Sequence, residues 1–194
     1  MIPPALLACA PNIAPVTLEA VISIESRGNP FAVHVNGLNE QPRSPHDAKK
    51  AAKIAERYIA RGYSVDLGLM QVNSRNLSVL GATIGQVLHP CTNIRSGAKI
   101  LTADYAEAAR TRGDGQLALE AALSAYNTGD FYRGFVNGYV ARYYGPGVVP
   151  APGVVVPEAQ ATVPASRRTV ASAASPYTAN TSVFAREPMN VRIE

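Results

Sequence analysis

Hydrophobic positions recur at helical spacing in several stretches of the chain. Leu18, Val21 and Ile22 form a stripe at i, i+3 and i+4. They predict a helix from Pro15 to Arg27, with Asn12 or Thr17 as cap and Gly28 as the terminating glycine. The i+7 position of the stripe is Glu25, so a carboxylate shares the apolar face at the last turn. Ala51, Ile54, Ala55, Tyr58 and Ile59 predict a second helix that ends at Arg61 and Gly62. Its start reads as a Ser44 cap, Pro45 at the first position and Asp47 at the third. Ile94, Ala98, Leu101, Tyr105 and Ala108 predict a long helix capped by Thr92 or Asn93 and closed by Gly113. Leu119, Leu123 and Tyr126 place another over Gln116–Asn127, and a short one is expected over Asn137–Tyr144. Residues 31–42 read as extended structure with an Asn36-Gly37 turn, and 66–73 as a short strand and turn. The pattern is α+β, mostly α.

Composition changes this picture at one place. From Gly145 onward Pro, Ala, Val, Ser and Thr dominate, and seven of the 15 prolines fall in residues 146–194. That segment has too few large apolar residues to offset its ordering entropy. The expectation is a domain over 1–145 and a disordered, flexible tail over 146–194. The tail is either inert or a docking segment for a partner. The N-terminal end has no basic residue and only a short apolar run before Cys9, so no export signal is recognised in it.

Charge and composition exclude several function classes. Charged residues make up 16% and the net charge is +4, with no arginine-rich arm and no Cys/His zinc pattern, which argues against nucleic acid. No apolar run approaches the ~20 residues of a membrane span. Lys49, Lys50, Lys53, Arg57 and Arg61 give the second helix a basic side, either a solvated face or a weak attraction for an anionic polymer. His34, His46 and His89 are isolated in sequence, and His89 with Cys91 makes only two metal ligands; no metal and no cofactor are expected.

Glu25 is the leading chemical candidate. A carboxylate on an apolar stripe loses hydration, and the negative end of the helix dipole acts in the same direction. Both favour a protonated acid near neutral pH, as general acid catalysis requires. The competing reading is that Glu25 turns to solvent or pairs with Arg27.

Three segments add weight: Glu25-Ser26, then Gly68-Leu69-Met70-Gln71-Val72-Asn73, then Ala125-Tyr126-Asn127-Thr128-Gly129. In this order they resemble the motifs of lytic transglycosylases of the lysozyme-like superfamily. The branch that accompanies type IV secretion and conjugative transfer machines is especially similar, through Asp66-Leu67 and Ser74-Arg75-Asn76-Leu77 as well. The resemblance covers about residues 5–144. It implies a lysozyme-like fold with Glu25 as acid and then base, and Ser26 in support. Gly68, Leu69, Met70, Gln71 and Asn73 would line the sugar groove, with Met70 and Gln71 facing substrate. Tyr126 and Asn127 would approach from the opposite side, and Tyr139 matches a later tyrosine of the family. The bland alternatives are that Met70 and Tyr126 pack the core and Asn127 caps its helix.

The implied substrate is peptidoglycan glycan strands in the periplasm, with secretion components as partners through the tail. Ordinary glycosidases use two carboxyl groups, yet the three motifs hold one. A single acid suffices if N-acetylmuramic acid supplies its own N-acetyl group and C6 hydroxyl, which closes a 1,6-anhydro ring without water. Hydrolysis using Asp66 or a bound water is the runner-up, and a non-catalytic wall-binding scaffold is the competing class. Only Cys9 and Cys91 are present. Both lie near predicted helix starts, and the oxidising compartment implied by the resemblance favours a disulfide between them.

Overall fold

The computed structural model describes residues 2–144, so the expected tail at 146–194 lies outside the described residues. Helix α1 is one turn, Pro4–Leu7, and α2 runs Pro15–Ser26. Proline suits the first helical position because its φ is fixed and its missing N–H would have no partner there. Neither expected residue caps α2: Asn12 donates to Thr102 Oγ1 at 3.0 Å, and Thr17 is buried inside the helix. Arg27 and Gly28 both take positive φ, 53° and 78°, and stop the helix one residue earlier than expected.

Strands β1 (Val33–Val35), β2 (Val65–Leu67) and β3 (Val72–Asn73) form an antiparallel sheet in that order. His34 pairs with Asp66, and Asp66 with Asn73. Side chains alternate along a strand, so these three polar residues share one face. Val35, Val65, Leu67 and Val72 occupy the other and are buried. Helix α3 (Ala48–Ile59) covers that apolar face with Ala51 and Ala55. It starts at Ala48, not after Ser44, because the Asp47 side chain accepts the Lys50 N–H at 2.7 Å and caps it. Ser44 serves elsewhere, accepting from Asn29 Nδ2 at 3.0 Å. The basic side of α3 borders a groove of about 590 Å³ lined in part by Arg43, Lys50, Lys53 and Arg57; none of the expected site residues lines it.

A 3-10 turn (Ser74–Asn76) and the single-turn helices α4 (Leu77–Leu80) and α5 (Ile84–Val87) lead to α6 (Pro90–Arg112). Then come α7 (Gln116–Thr128), α8 (Arg133–Val136) and α9 (Ala141–Tyr144). The long helix begins at Pro90 with His89 as its cap position, so Asn93 lies inside it and is buried. The last expected helix, over Asn137–Tyr144, is helical only at Ala141–Tyr144; the turn at Asn137 and Gly138 separates it from α8, which was not expected.

Two hydrophobic clusters result. The larger joins α2, α6, α7 and the 139–143 segment around Leu18, Ile22, Leu101, Tyr105, Leu119 and Leu123. The smaller joins the sheet to α3, α4 and α5. The mostly helical α+β expectation agrees with this architecture. Cys9, after α1, is bridged to Cys91 in the first turn of α6 with Cα atoms 5.4 Å apart. Closing 82 residues of separation stabilises the fold by about 4.5 kcal/mol in the chain-entropy model. Among the described residues no helix is long and apolar enough to cross a membrane, and no group of three or more potential ligands could hold a metal ion.

Candidate active site

Glu25 stands in the last turn of α2, one residue before its end. The apolar stripe that buries Leu18, Val21 and Ile22 carries its carboxyl into a partly desolvated position. Burial is the main reason its pKa rises to about 7; the Tyr139 hydrogen bond and Arg142 oppose the rise, and the charge of Asp66 adds to it. Tyr139 donates its hydroxyl to Glu25 Oε1. Arg142 donates to the Ile24 carbonyl at 2.9 Å, with its guanidinium 5.7 Å from the Tyr139 ring centroid. Ser26 is buried and serves the helix end: its hydroxyl donates to the Ile22 carbonyl at 3.1 Å and accepts the Gly28 N–H at 3.2 Å.

Asp66 faces Glu25 electrostatically from the polar face of the sheet. Its two oxygens accept separately, from Asn36 Nδ2 at 2.8 Å and from Asn73 Nδ2 at 2.5 Å. Burial raises its pKa as well, while the two amides and His34 pull it back. Asn73 does two jobs, since its Oδ1 also accepts the Arg75 N–H at 3.0 Å and caps the 3-10 turn.

The Gly68–Gln71 turn is fixed through its backbone. Asn93 Oδ1 accepts the Met70 N–H at 2.7 Å, and Asn93 Nδ2 donates to the carbonyls of Leu67 and Val87 at 2.7 and 2.9 Å. Gly68 has φ 75°, and a Cβ there would collide with the Asn93 side chain, so both conformation and space call for glycine. Tyr126 donates to the Met70 carbonyl at 2.6 Å. It reaches that carbonyl because Gly97 in α6 is bare: a Cβ would sit 2.7 Å from Met70 Cβ and 2.9 Å from the Tyr126 hydroxyl.

This arrangement corrects two expectations. Met70 does not face a groove; its side chain is fully buried in the larger cluster. Leu69 is buried there too. Gln71 takes φ 46°, which turns its side chain back to donate to Gly68 O at 2.9 Å and Ala32 O at 3.3 Å. The segment therefore offers backbone and a reflexed amide, not the Met70 side chain. Tyr126 is half-buried, and Asn127 is exposed. Asn127 Oδ1 accepts from Asn137 Nδ2 at 3.2 Å, and Asn137 Oδ1 accepts the Tyr139 N–H at 2.9 Å. The Ala125–Gly129 motif is thus linked to Glu25 through Asn137 and Tyr139.

Sequence reasoning missed Asn36, Asn93, Asn137, Arg142 and Tyr143. Asn36 was visible only as a turn former, and Asn93 only as a helix cap. A polar residue one position before Ile94 on a buried face was the available signal for Asn93.

The described geometry can hold one carboxyl group protonated near neutral pH, beside a second carboxylate fixed by two amides. A family model described as the transglycosylase SLT domain matches residues 5–143. Protein virB1 of Agrobacterium fabrum is 48% identical over 134 residues, covering 69% of this chain and 54% of the relative. Protein virB1 of Rhizobium radiobacter is 42% identical over 134 residues, covering 69% and 55%. Type IV secretion system protein virB1 of Brucella suis is 38% identical over 178 residues, covering 90% and 74%. The chain thus spans about half the length of the first two of these relatives. No solved structure shows significant similarity to it. The family match takes in both carboxylates, the Gly68 turn and Tyr139, and on this ground the chain belongs to the transglycosylase SLT domain family.

Proposed function

We propose that this protein is a peptidoglycan lytic transglycosylase that cleaves the β-1,4 bond between N-acetylmuramic acid and N-acetylglucosamine. The observation that carries the reading is the placement of Glu25 at the end of the apolar stripe of α2 with the Tyr139 hydroxyl on Oε1; burial raises its pKa to about 7, which suits a group that gives and takes a proton near neutral pH. In this mechanism Glu25 gives its proton to the leaving glycosidic oxygen as the C1–O bond breaks. The sugar's N-acetyl group assists at C1. The resulting Glu25 carboxylate then takes the proton of the C6 hydroxyl as O6 closes on C1. Tyr139 holds the carboxylate between the two steps through its hydrogen bond to Oε1. The Gly68–Gln71 turn and Asn73 line the groove through backbone and amide groups, and Tyr126 and Asn127 brace it from α7.

The virB1 names of the relatives support a role in type IV secretion, with action on the wall in the periplasm. The segment 146–194 carries none of the three motifs, so its proposed part is contact with components of that machine. Digestion of purified sacculi followed by mass spectrometry tests the reaction. Fragments ending in 1,6-anhydromuramic acid, about 18 Da lighter than hydrolysed ends because no water is added, are expected. Predominantly reducing ends would favour a muramidase instead. One observation favours that second reading: Asp66 is a firmly held carboxylate within electrostatic reach of Glu25.

A further inference from the structure

Tyr143 belongs to none of the three motifs, yet it is 3% exposed and contacts the site. Its ring packs edge-on against Tyr139 with centroids 5.5 Å apart, and the two hydroxyl oxygens are 2.8 Å apart. A tyrosine hydroxyl has one proton to donate. Tyr139 gives its proton to Glu25 Oε1, so its oxygen is left to accept from Tyr143. The chain of donation then runs from Tyr143 to Tyr139 to Glu25. A reversed chain would begin with the Glu25 proton on Oε1, aimed at Tyr139 and withheld from any leaving group. The direction therefore decides whether the acid is usable.

We propose that Tyr143 is a positioning residue that orients the Tyr139 hydroxyl toward Glu25 and so keeps the transferable proton on Oε2. The inference rests on the reading of Glu25 as the acid. During cleavage the Oε2–H bond breaks and the proton moves to the glycosidic oxygen, which keeps the electron pair of the C1–O bond. The negative charge left on the carboxylate strengthens donation from Tyr139, and Tyr143 polarises Tyr139 in turn. Oε2 then recovers a proton from the C6 hydroxyl, and both tyrosines end as they began. The other charged or titratable groups facing Glu25 are Asp66 from β2, Arg142 from α9 and Tyr126 from α7. None of them is hydrogen-bonded to the Tyr143 hydroxyl in the structure.

The test is the titration of the Glu25 carboxyl by carbon-13 NMR, set beside the pH profile of kcat/KM on soluble glycan strands. NMR reads the Glu25 midpoint whether or not the protein cleaves glycan, so failure of the functional reading leaves this test intact. Tyr139→Phe removes a donor to the carboxylate and should move the midpoint up by about one pH unit. Tyr143→Phe keeps the ring and should move it up by a smaller amount, about 0.3 of a pH unit. The basic limb of kcat/KM should follow, with kcat reduced several-fold and KM unchanged. Tyr144→Phe removes the 2.7 Å bond from Gln116 to the Tyr144 hydroxyl and controls for a merely structural loss; it should leave the midpoint in place. A midpoint that stays put or falls in Tyr143→Phe overturns the proposal. Should that variant fail to fold, the sign in Tyr139→Phe decides: a downward shift means the chain runs the other way.

Discussion

The helical part and the sheet each remove a carboxyl group from water, and they do so differently. Glu25 is presented by a helix whose apolar stripe runs up to it, with one hydroxyl donor on Oε1. Asp66 is presented by a strand, with one amide donor on each oxygen. Burial raises both, but the two amides and His34 hold Asp66 back, whereas Glu25 reaches about 7. Two carboxyl groups in one site thus sit in different surroundings, one held by a single hydroxyl and the other by two amides. The contrast arises from what each element supplies: a helix C-terminus offers carbonyls and no free N–H groups, while the sheet offers Asn73 at matched register on β3 and Asn36 from the turn after β1.

The largest way to break this contrast is to remove the proton. Glu25→Gln should lower wall cleavage by about 10⁴-fold, on the order of 5 kcal/mol in the barrier. The same variant should be more stable than the parent at pH 8, by up to about 3 kcal/mol, and nearly equal at pH 4. The sign follows from the raised pKa: the folded state binds more protons than the unfolded chain between about 4.5 and 7, so stability is lost as pH rises through that window. Denaturant titrations at the two pH values check it; equal differences at both would mean Glu25 is not desolvated.

Next in size is the covalent brace of the helical part. Cys9→Ser should cost about 4 kcal/mol of stability, read from the urea midpoint under oxidising conditions. Asn93→Ala attacks the seam between the two parts, since Asn93 joins α6 to Leu67 and Met70 around the Gly68 turn by two hydrogen bonds and to Val87 of α5 by a third. It should cost about 3 kcal/mol and loosen the turn, visible as faster amide exchange at Met70. The smallest and most discriminating change is Asp66→Asn. Loss of a neighbouring negative charge should move the Glu25 basic limb down in pH, opposite to the tyrosine variants. A roughly tenfold drop in kcat with unchanged anhydro product would make Asp66 an electrostatic aid to the transglycosylase. A change in product ratio would tie it to a hydrolytic path.

Much of this arrangement was legible in the chain because it depends on local periodicity. The stripe ending at Glu25 places the acid before any long-range contact is known, and the long helices follow the apolar repeats. Helix starts were less legible: Ser44 reads as the cap with Asp47 inside the first turn, whereas the bond from the Lys50 N–H makes Asp47 itself the cap. The single-turn helices α1, α4 and α5 are too short for a period of 3.6 to register. Met70 misled because a motif says that a residue matters without saying which way its side chain points. Tyr143 and Asn93 act across 118 and 23 residues of chain, to Glu25 through Tyr139 and to Met70 directly, and nothing local announces such partners.

The Cys9–Cys91 bridge turns residues 9 to 91 into a covalent ring, with α7, α8 and α9 on the open strand that leaves it. Glu25, Asp66 and the Gly68 turn all lie within the ring, and Tyr139 and Tyr143 lie outside. A single protease nick inside the ring, at the Asn36-Gly37 turn for example, leaves the two pieces chemically joined and both carboxylates tethered to α6. A nick in the Gly113–Gly115 link has no such safeguard: it frees the segment that carries the tyrosines from the segment that carries the acid. Cross-linking thus divides the molecule into a half that survives cutting and a half that can be cast off, and the boundary runs between the proton and the hydroxyl that steers it.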